Sequence, residues 1–290
     1  MTTLLRLFRQ WFPLWPDPLK WFEPLARFYR ENADYHRMTS SGGKVDEPQT
    51  GVLSALIRPA GRYLEVGCGG GEVARDLARQ AAVVACDYSS LALQRAANAK
   101  PDSLHLLQAN AGKIPLGDAT VDGAYSFEVL EHVWNPAEVV AEMIRVVRPG
   151  GFVLISVPNQ FSLDWHLPKR WYARLLDLCL AGIRWTADRC RGRVFVNREP
   201  DLNGPVYADC DMVSCVIPRN LVRLMERSGC RVEFWDTGYM RAHKIGQQPG
   251  LDYQRRMTRP FWRNFGDHLL LLARKGKCSV FRSQCSVVRM

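Results

Sequence analysis

One nine-residue stretch constrains this chain more than any other: Leu64-Glu65-Val66-Gly67-Cys68-Gly69-Gly70-Gly71-Glu72. A short apolar strand, Arg62 to Val66, runs into it, and a helix, Val73 to Ala81, leaves it. Glycines let the chain turn sharply and let a ligand touch backbone. A second strand, Ala82 to Cys86, ends beside Asp87, twenty residues after Gly67. Strand, glycine loop, helix and a later acid together form a nucleotide-binding fingerprint, with the acid placed to accept hydrogen bonds from ribose hydroxyls.

The same alternation continues around the loop. Val52 to Ile57 reads as a helix, Leu91 to Ala99 as a helix, Leu104 to Ala109 and Gly123 to Phe127 as strands. Pro136 to Val147 is a helix with Glu138 and Glu142 early and Arg145 and Arg148 at its end, the order that the helix dipole favours. Arg148-Pro149-Gly150-Gly151 stops it, and the strand Phe152 to Val157 follows. Strands separated by helix-length segments mean βαβ units and a mostly parallel sheet. Residues 159–216, rich in Trp, Arg and Asp, break this rhythm. It returns with Pro218 to Ser228 as a helix and Arg231 to Asp236 and His268 to Ala273 as strands. Long ordered insertions tend to be lids or binding loops. The expected organisation is therefore an aromatic, helical N-terminal segment (1–45), a main domain (46–274) with the insertion 159–216 as lid or acceptor region, and a basic tail (275–290).

Which nucleotide fits can be narrowed. A GxGxxG pattern starting at Gly67 would need glycine at 72, where Glu72 stands. Glu72 would also face the helix N-terminus, where pyrophosphate normally binds, and Glu65 adds a second negative charge beside the loop. That pairing repels phosphates. It suits a ligand without phosphates and with a positive end, such as S-adenosylmethionine. No Gly-Lys-Ser/Thr follows, so the phosphate loop of nucleoside triphosphatases is excluded.

At this point the sequence resembles the class I S-adenosylmethionine-dependent methyltransferases. Glu65-x-Gly67-x-Gly69-x-Gly71 is similar to their first motif, and four further marks follow in order: Asp87, Asn110, the run Phe127-Glu128-Val129-Leu130-Glu131-His132-Val133, and Arg148-Pro149-Gly150-Gly151. The loop and the Glu-x-x-Glu-His run are most similar to the ubiquinone-biosynthesis O-methyltransferases. The resemblance covers about residues 50–160 and resumes weakly at 218–274. It implies an α/β fold, a Rossmann-like doubly wound sheet of seven strands with the last antiparallel and a long insertion after strand 5. It implies S-adenosylmethionine as cofactor, with Gly67 and Gly69 near its methionine part, Asp87 on the ribose, Asn110 at the adenine edge and Phe127 lining the pocket. Glu65, Cys68, Gly71, Tyr88 and Ala111 complete the implied cofactor set. The family usually carries Asp where Asn110 stands; Asn can both accept and donate.

Methyl transfer from a sulfonium needs mainly orientation, and a hydroxyl acceptor must also lose its proton. His132, after the fourth strand at the carboxyl edge of the sheet, is the candidate base. A local hydrogen bond holding the loop is its structural alternative. Glu128, Glu131 and His132 could instead bind Mg²⁺, as the resemblance allows, although imidazole matches that hard ion poorly. In the insertion, Trp165, His166, Trp171, Tyr172, Trp185 and Tyr207 could wall an apolar acceptor pocket or form a satellite core. Arg189, Arg191, Arg193 and Arg198 could meet an anionic acceptor or a lipid headgroup, or simply be solvated.

Composition sets outer limits. With 47% hydrophobic and 23% charged residues, the chain can bury a core of normal size, which excludes disorder over most of its length. It has no apolar run long enough for a conventional membrane span. Arg6 and Arg9 interrupt the apolar N-terminus, and the nine cysteines form no CxxC pair, so the expectation is a cytoplasmic protein with reduced thiols and no structural zinc. The net charge of +10 is uneven: residues 241–290 hold eleven Lys/Arg against two Asp/Glu. Arg255, Arg256, Arg259, Arg263, Arg274, Lys275, Lys277, Arg282 and Arg289 could meet phosphates or an anionic membrane surface. Leu4, Leu5, Leu7, Phe8, Trp11, Phe12, Trp15 and Trp21 crowd the first residues, either as an interfacial segment or as a helix packed over the main domain and roofing its pocket.

The expected function is methyl transfer to an oxygen of a small-molecule or lipid-like acceptor, with peripheral membrane contact as an added option. RNA or protein methylation is the alternative. No aromatic and basic RNA-binding motif and no Asn-Pro-Pro-Tyr motif is present, which disfavours nucleic acid. A non-catalytic binding protein on the same fold is the third reading.

Overall fold

The computed structural model describes residues 19–39, 48–162, 179–180, 182–184, 186–187, 190–203, 206, 210–237 and 262–276. Residues 4–15, the insertion's Trp165, His166, Trp171, Tyr172, Trp185 and Tyr207, Arg189, and most of the basic C-terminal residues lie outside them. Helices α1 (Leu19–Glu31), α2 (Ala33–Thr39) and α3 (Pro48–Leu56) precede the sheet. Then follow β1 (Arg62–Val66), α4 (Glu72–Leu77), β2 (Ala82–Asp87), α5 (Ser90–Ala96), β3 (Leu104–Gln108), β4 (Val121–Phe127), α6 (Pro136–Val146) and β5 (Val147–Pro158). β6 (Phe195–Asn197) and β7 (Ser214–Val216) form a small separate ribbon, and α7 (Pro218–Arg227), β8 (Cys230–Asp236) and β9 (His268–Lys275) are the last described elements.

The main sheet has seven strands in the order β3-β2-β1-β4-β5-β9-β8. β1 to β5 pair in parallel, and β9 runs antiparallel to both β5 and β8. This is the expected doubly wound α/β sheet with its last strand reversed. Strand order reverses between β1 and β4, and ligands bind at the carboxyl ends of strands at such a switch point.

Alternation along the strands explains why helices cover both faces. Leu64, Val66, Ala124, Val153, Ile155, Leu269 and Leu271 point to one side, where Val139, Met143 and Ile144 of α6 and Leu221 and Met225 of α7 meet them. Tyr63, Val83, Ala85, Tyr125, Phe152, Leu154 and Leu270 point to the other, against Leu53 of α3, Val73 and Leu77 of α4 and Leu93 of α5. Two apolar faces leave the central strands no polar side, which is why they read as near-continuous hydrophobic runs.

Some boundaries differ from the sequence reading. α4 stops at Leu77 rather than Ala81, because Arg79 and Gln80 turn the chain back onto β2. β5 begins at Val147, so Arg148 to Gly151 form its irregular start rather than only a helix stop. Lys275, grouped by charge with the tail, ends β9: it is buried and donates to the carbonyls of Arg145 and Val147 (3.2 and 2.7 Å). Arg274 pairs with Glu233 (3.0 Å) and Arg263 stacks over Trp235 (4.6 Å), so these three cations serve the fold.

Candidate active site

A cavity of about 480 Å³ opens at the carboxyl ends of β1, β2, β3 and β4. Its floor is the glycine loop. Gly67, Gly69 and Gly71 all have positive φ (75°, 53° and 76°), which L side chains rarely adopt. Their surroundings differ. A Cβ on Gly67 would collide with Val129, and one on Gly71 would come within 2.8 Å of the Ala96 Cβ. A Cβ on Gly69 would meet nothing within 4 Å, because that face looks into the cavity. Asp87 ties loop to strand end: its carboxylate accepts from the backbone N–H of Gly69 (2.9 Å) and of Ser89 (2.8 Å). Asn110 accepts from the N–H of Gly112 (2.8 Å) and lines the same wall.

Of the residues expected at a cofactor, the structure gathers Gly67, Gly69, Asp87, Tyr88, Asn110 and Ala111 around this cavity. Four others stand elsewhere. Phe127 is buried against Tyr125 in the core, the side its pleat position dictates. Glu65 is buried and accepts from the Tyr125 hydroxyl (3.3 Å). Cys68 is a core residue whose thiol is pushed well up by burial and by Asp87 and Glu65. Gly71 packs on α5. Cys86 does line the cavity, and burial together with Asp87 pushes its thiol up to about 12, so it stays protonated at neutral pH.

The roof comes from the N-terminal helices: Phe22, Leu25, Ala26 and Tyr29 of α1 and Tyr35 and His36 of α2 face the cavity. Ser89, at the N-cap of α5, anchors them. Its hydroxyl donates to the Tyr29 carbonyl (2.8 Å), and His36 Nε2 lies 2.8 Å from that carbonyl and 3.0 Å from the hydroxyl. Trp21, the last of the crowded N-terminal residues, is half-buried on α1. Phe22 and Tyr88 stay 50% and 40% exposed at the rim, which leaves two aromatic faces for a ligand to cover.

His132 lies on the short turn after β4 and lines the cavity. Its Nδ1 is 3.0 Å from Asp211, and its Nε2 is 3.7 Å from Glu131. Asp211 is completely buried, just before β7, and also accepts from the Tyr29 hydroxyl (2.7 Å). Burial alone would push its carboxyl up; His132 and the hydroxyls of Tyr29 and Tyr35 outweigh that and bring it down to about 2. The two tyrosines are pushed well above their usual range by burial first and by Asp211 second, so they remain donors. Sequence reading missed Tyr29, Tyr35 and Asp211. They lie about 100 residues before and 79 after His132, and no spacing rule connects them.

A second histidine sits nearby. His268, buried on β9, has Nε2 3.0 Å from Glu128 and Nδ1 3.4 Å from Asp267. Ser156 donates a hydrogen bond to the other oxygen of Glu128. Burial opposes charge on His268, but the two carboxylates dominate and raise it to about 10. The three residues expected for Mg²⁺ have different partners: Glu128, at the cavity wall, is bonded to Ser156 of β5 and His268 of β9, while Glu131 faces His132, which is paired with Asp211. Among the described residues, no group of three or more His, Cys, Asp or Glu gathers as metal ligands.

Comparison with known proteins agrees with the site. Residues 64–155 match the family model described as a methyltransferase domain. A Mycolicibacterium smegmatis protein named as a probable S-adenosylmethionine-dependent methyltransferase is 40% identical over 111 residues, 37% of this chain and 42% of its own length. A ubiquinone biosynthesis O-methyltransferase from Parvibaculum lavamentivorans is 29% identical over 158 residues, 50% of this chain and 58% of its own. The chain thus spans less than two thirds of either relative. The crystal structure of an S-adenosylmethionine-dependent methyltransferase from Mesorhizobium loti shares the fold, with a TM-score of 0.53 at 18% identity over 80% of this chain and 100% of the other.

Proposed function

We propose that this chain, which carries a class I S-adenosylmethionine-dependent methyltransferase domain, methylates an oxygen of an uncharged small-molecule or lipid-like acceptor, with His132 as the base. One observation carries this reading. The cavity that holds the glycine loop and Asp87 also holds His132, counts Asp87, Glu128 and Glu138 among its lining residues, and among the described residues that line it none is Lys or Arg. A phosphate-bearing nucleotide or an anionic acceptor would find no counter-charge there. A nucleoside with a positive end would.

The residues present fit the cofactor. The open face of Gly69 leaves room for a ligand against backbone, Asp87 suits ribose hydroxyls, and Asn110 with Ala111 suits an adenine edge. When bound, S-adenosylmethionine supplies a methyl group on an electron-poor sulfonium. The protein's part is to hold the acceptor in line and to take its proton. Asp211 holds the imidazole of His132 by its Nδ1, and in this reading the acceptor's proton goes to Nε2, the nitrogen that faces Glu131 at 3.7 Å. Asp211 and Glu131 then offer negative charge to the ring that carries it. Leu25, Ala26, Val133, Trp134 and Val139 supply apolar wall for the acceptor body and exclude water. The relatives named as ubiquinone biosynthesis O-methyltransferases support oxygen as the atom methylated.

The test has two stages. Thermal unfolding with S-adenosylmethionine, S-adenosylhomocysteine and NADH should show stabilisation by the two adenosyl compounds only. S-adenosylhomocysteine formation is then followed over a panel of catechols, phenols and polyprenylated phenols. His132→Ala should lower kcat about 10²–10⁴-fold while cofactor binding is kept. Stabilisation by NADH alone would overturn the cofactor, and full activity in His132→Ala would remove the base.

A further inference from the structure

We propose that Glu128 is the anionic contact for the positive end of the bound donor, and that His268 is the positioning residue that holds Glu128 there, so that this pocket favours the charged donor over its neutral demethylated product. The inference rests on the methyltransferase reading and deepens it.

Placement comes first. In the strand order, β2 and β4 flank β1 on opposite sides. Asp87, at the end of β2, stands on one side of the glycine loop; Glu128, one residue past the end of β4, stands on the other. The end of β4 is tied to the loop: the Ser126 hydroxyl donates to the Val66 carbonyl (3.1 Å), and Gly67 packs against Val129. A ligand with its ribose at Asp87 that crosses over Gly67 and Gly69 reaches Glu128 with its other end. In the donor, that end is the sulfonium and the amino acid part.

The local build is unusual for a residue that serves packing alone. Glu128 is a non-glycine residue with φ +55°, a costly backbone conformation that persists only where neighbours enforce it. The neighbours are identifiable. Its N–H donates to the Ser156 carbonyl (3.0 Å), the Ser156 hydroxyl donates to Oε1, and His268 Nε2 meets Oε2 at 3.0 Å. His268 is itself fixed, because its backbone N–H donates to Asp267 Oδ1 (2.9 Å) and its Nδ1 faces Oδ2 of the same carboxylate (3.4 Å). His268 does not line the cavity, whereas Glu128 does. The carboxylate is thus presented to the ligand from behind by β5 and β9. The cluster Asp267–His268–Glu128 carries two negative charges against one imidazolium, so a net negative charge remains at the cavity wall.

Charge discrimination follows. The donor's sulfonium is positive; the product's thioether is neutral and otherwise nearly the same shape. A carboxylate near the sulfur contributes to binding of the first and not of the second. The same contact favours release of product after transfer.

Binding of S-adenosylmethionine, S-adenosylhomocysteine and adenosine to the full chain is measured by calorimetry. Glu128→Gln, which keeps the shape and an acceptor oxygen, should weaken the donor about tenfold more than the product and leave adenosine unchanged. His268→Gln should shift the donor-to-product ratio in the same direction, and Ser156→Ala, the mildest change, by a smaller factor. Glu128→Asp should recover part of the preference. Equal weakening of donor and product in Glu128→Gln and Ser156→Ala would overturn the proposal while leaving the methyltransferase reading intact. Failure of the unsubstituted protein to bind either adenosyl compound would overturn both.

Discussion

Alanine at two neighbouring glycines of the loop should give opposite results. At Gly67, φ is +75° and a Cβ would lie 2.6 Å from one Val129 methyl carbon and 3.0 Å from its Cβ. The left-handed backbone costs about 1–2 kcal/mol for a non-glycine residue, and overpacking against Val129 adds about 1–3 kcal/mol. Gly67→Ala is therefore expected to lose about 2–5 kcal/mol. At Gly69, φ is +53° and no atom stands within 4 Å of the added methyl, so only the backbone term applies. Gly69→Ala should lose about 1–2 kcal/mol, which in a domain of this size is a fall in Tm of roughly 2–8 °C. Its defect should appear with ligand instead. S-adenosylmethionine at 100 times its Kd stabilises the unsubstituted protein by about 2.7 kcal/mol; in Gly69→Ala most of that shift should vanish, because the methyl occupies the space the ligand needs. Differential scanning fluorimetry with and without ligand reads both quantities. If Gly69→Ala gains as much from the ligand as the unsubstituted protein does, the open face of Gly69 is not where the ligand lies, and the cofactor placement built on it fails.

Asp211→Asn keeps the size of the side chain and removes its charge, so cofactor binding should persist while kcat falls about 10²–10⁴-fold; an unchanged kcat would mean that Asp211 only ties the roof to the domain. His268 titrates near 10 in the fold, above its ordinary value, so its stabilising contribution is complete below about pH 6.5 and is lost as pH rises towards 10. His268→Gln should cost about 3–5 kcal/mol at pH 6, and the Tm gap to the unsubstituted protein should narrow between pH 7 and 10; a constant gap would contradict a charged, doubly paired ring. Arg145 bonds Glu142, Asp118 and the carbonyls of Ile114 and Leu116, all 2.7–2.9 Å away. Arg145→Ala should destabilise by about 1.5–3 kcal/mol. It should also blunt acid unfolding, since its hydrogen bond holds the Glu142 carboxyl low and that stabilisation is lost as pH falls; an acid transition identical to that of the unsubstituted protein would refute the link. If the aromatic N-terminus and basic C-terminus touch lipid, the full chain should co-sediment with anionic vesicles at low salt and be released as salt rises, and absence from the vesicle pellet at any salt would remove that role.

The sheet was legible because local rules wrote it. Two apolar faces, glycine after β1, an acid after β2 and Pro136 at the start of α6 each act within a few residues, and all lie where the sequence placed them. Half of the cavity was legible for the same reason: Gly67, Gly69, Asp87 and Asn110 sit at strand ends, and strand ends converge in this topology. Phe127 was misplaced because proximity to a strand end does not say which face a side chain takes; its pleat position sends it to the Tyr125 side. Tyr29, Asp211 and His268 were illegible for a different reason. Each meets its partner across 79 to 182 residues, through packing of separate elements. No periodicity carries that information.

That division bears on how such a domain acquires its acceptor. The wall expected to hold ribose and adenine is built within the contiguous stretch 64–112, where Asp87 bonds Gly69 and Ser89 and Asn110 bonds Gly112. The His132 side of the cavity is assembled at one buried carboxylate, Asp211, where three separate segments meet: Tyr29 from the roof, His132 from the turn after β4, and Asp211 itself from the end of the insertion. His132 and the hydroxyls of Tyr29 and Tyr35 together hold Asp211 low, so the roof helices and His132 are linked through it. Changing the roof or the insertion can therefore reorient His132 without touching the glycine loop. It follows that Tyr29→Phe, which removes one of the donors to Asp211 and leaves the ring, should change KM and kcat for the acceptor while leaving the Kd for S-adenosylmethionine within about twofold. A large loss of donor affinity in Tyr29→Phe would show that the two sides are not separable, and that the roof closes over the cofactor rather than over the acceptor.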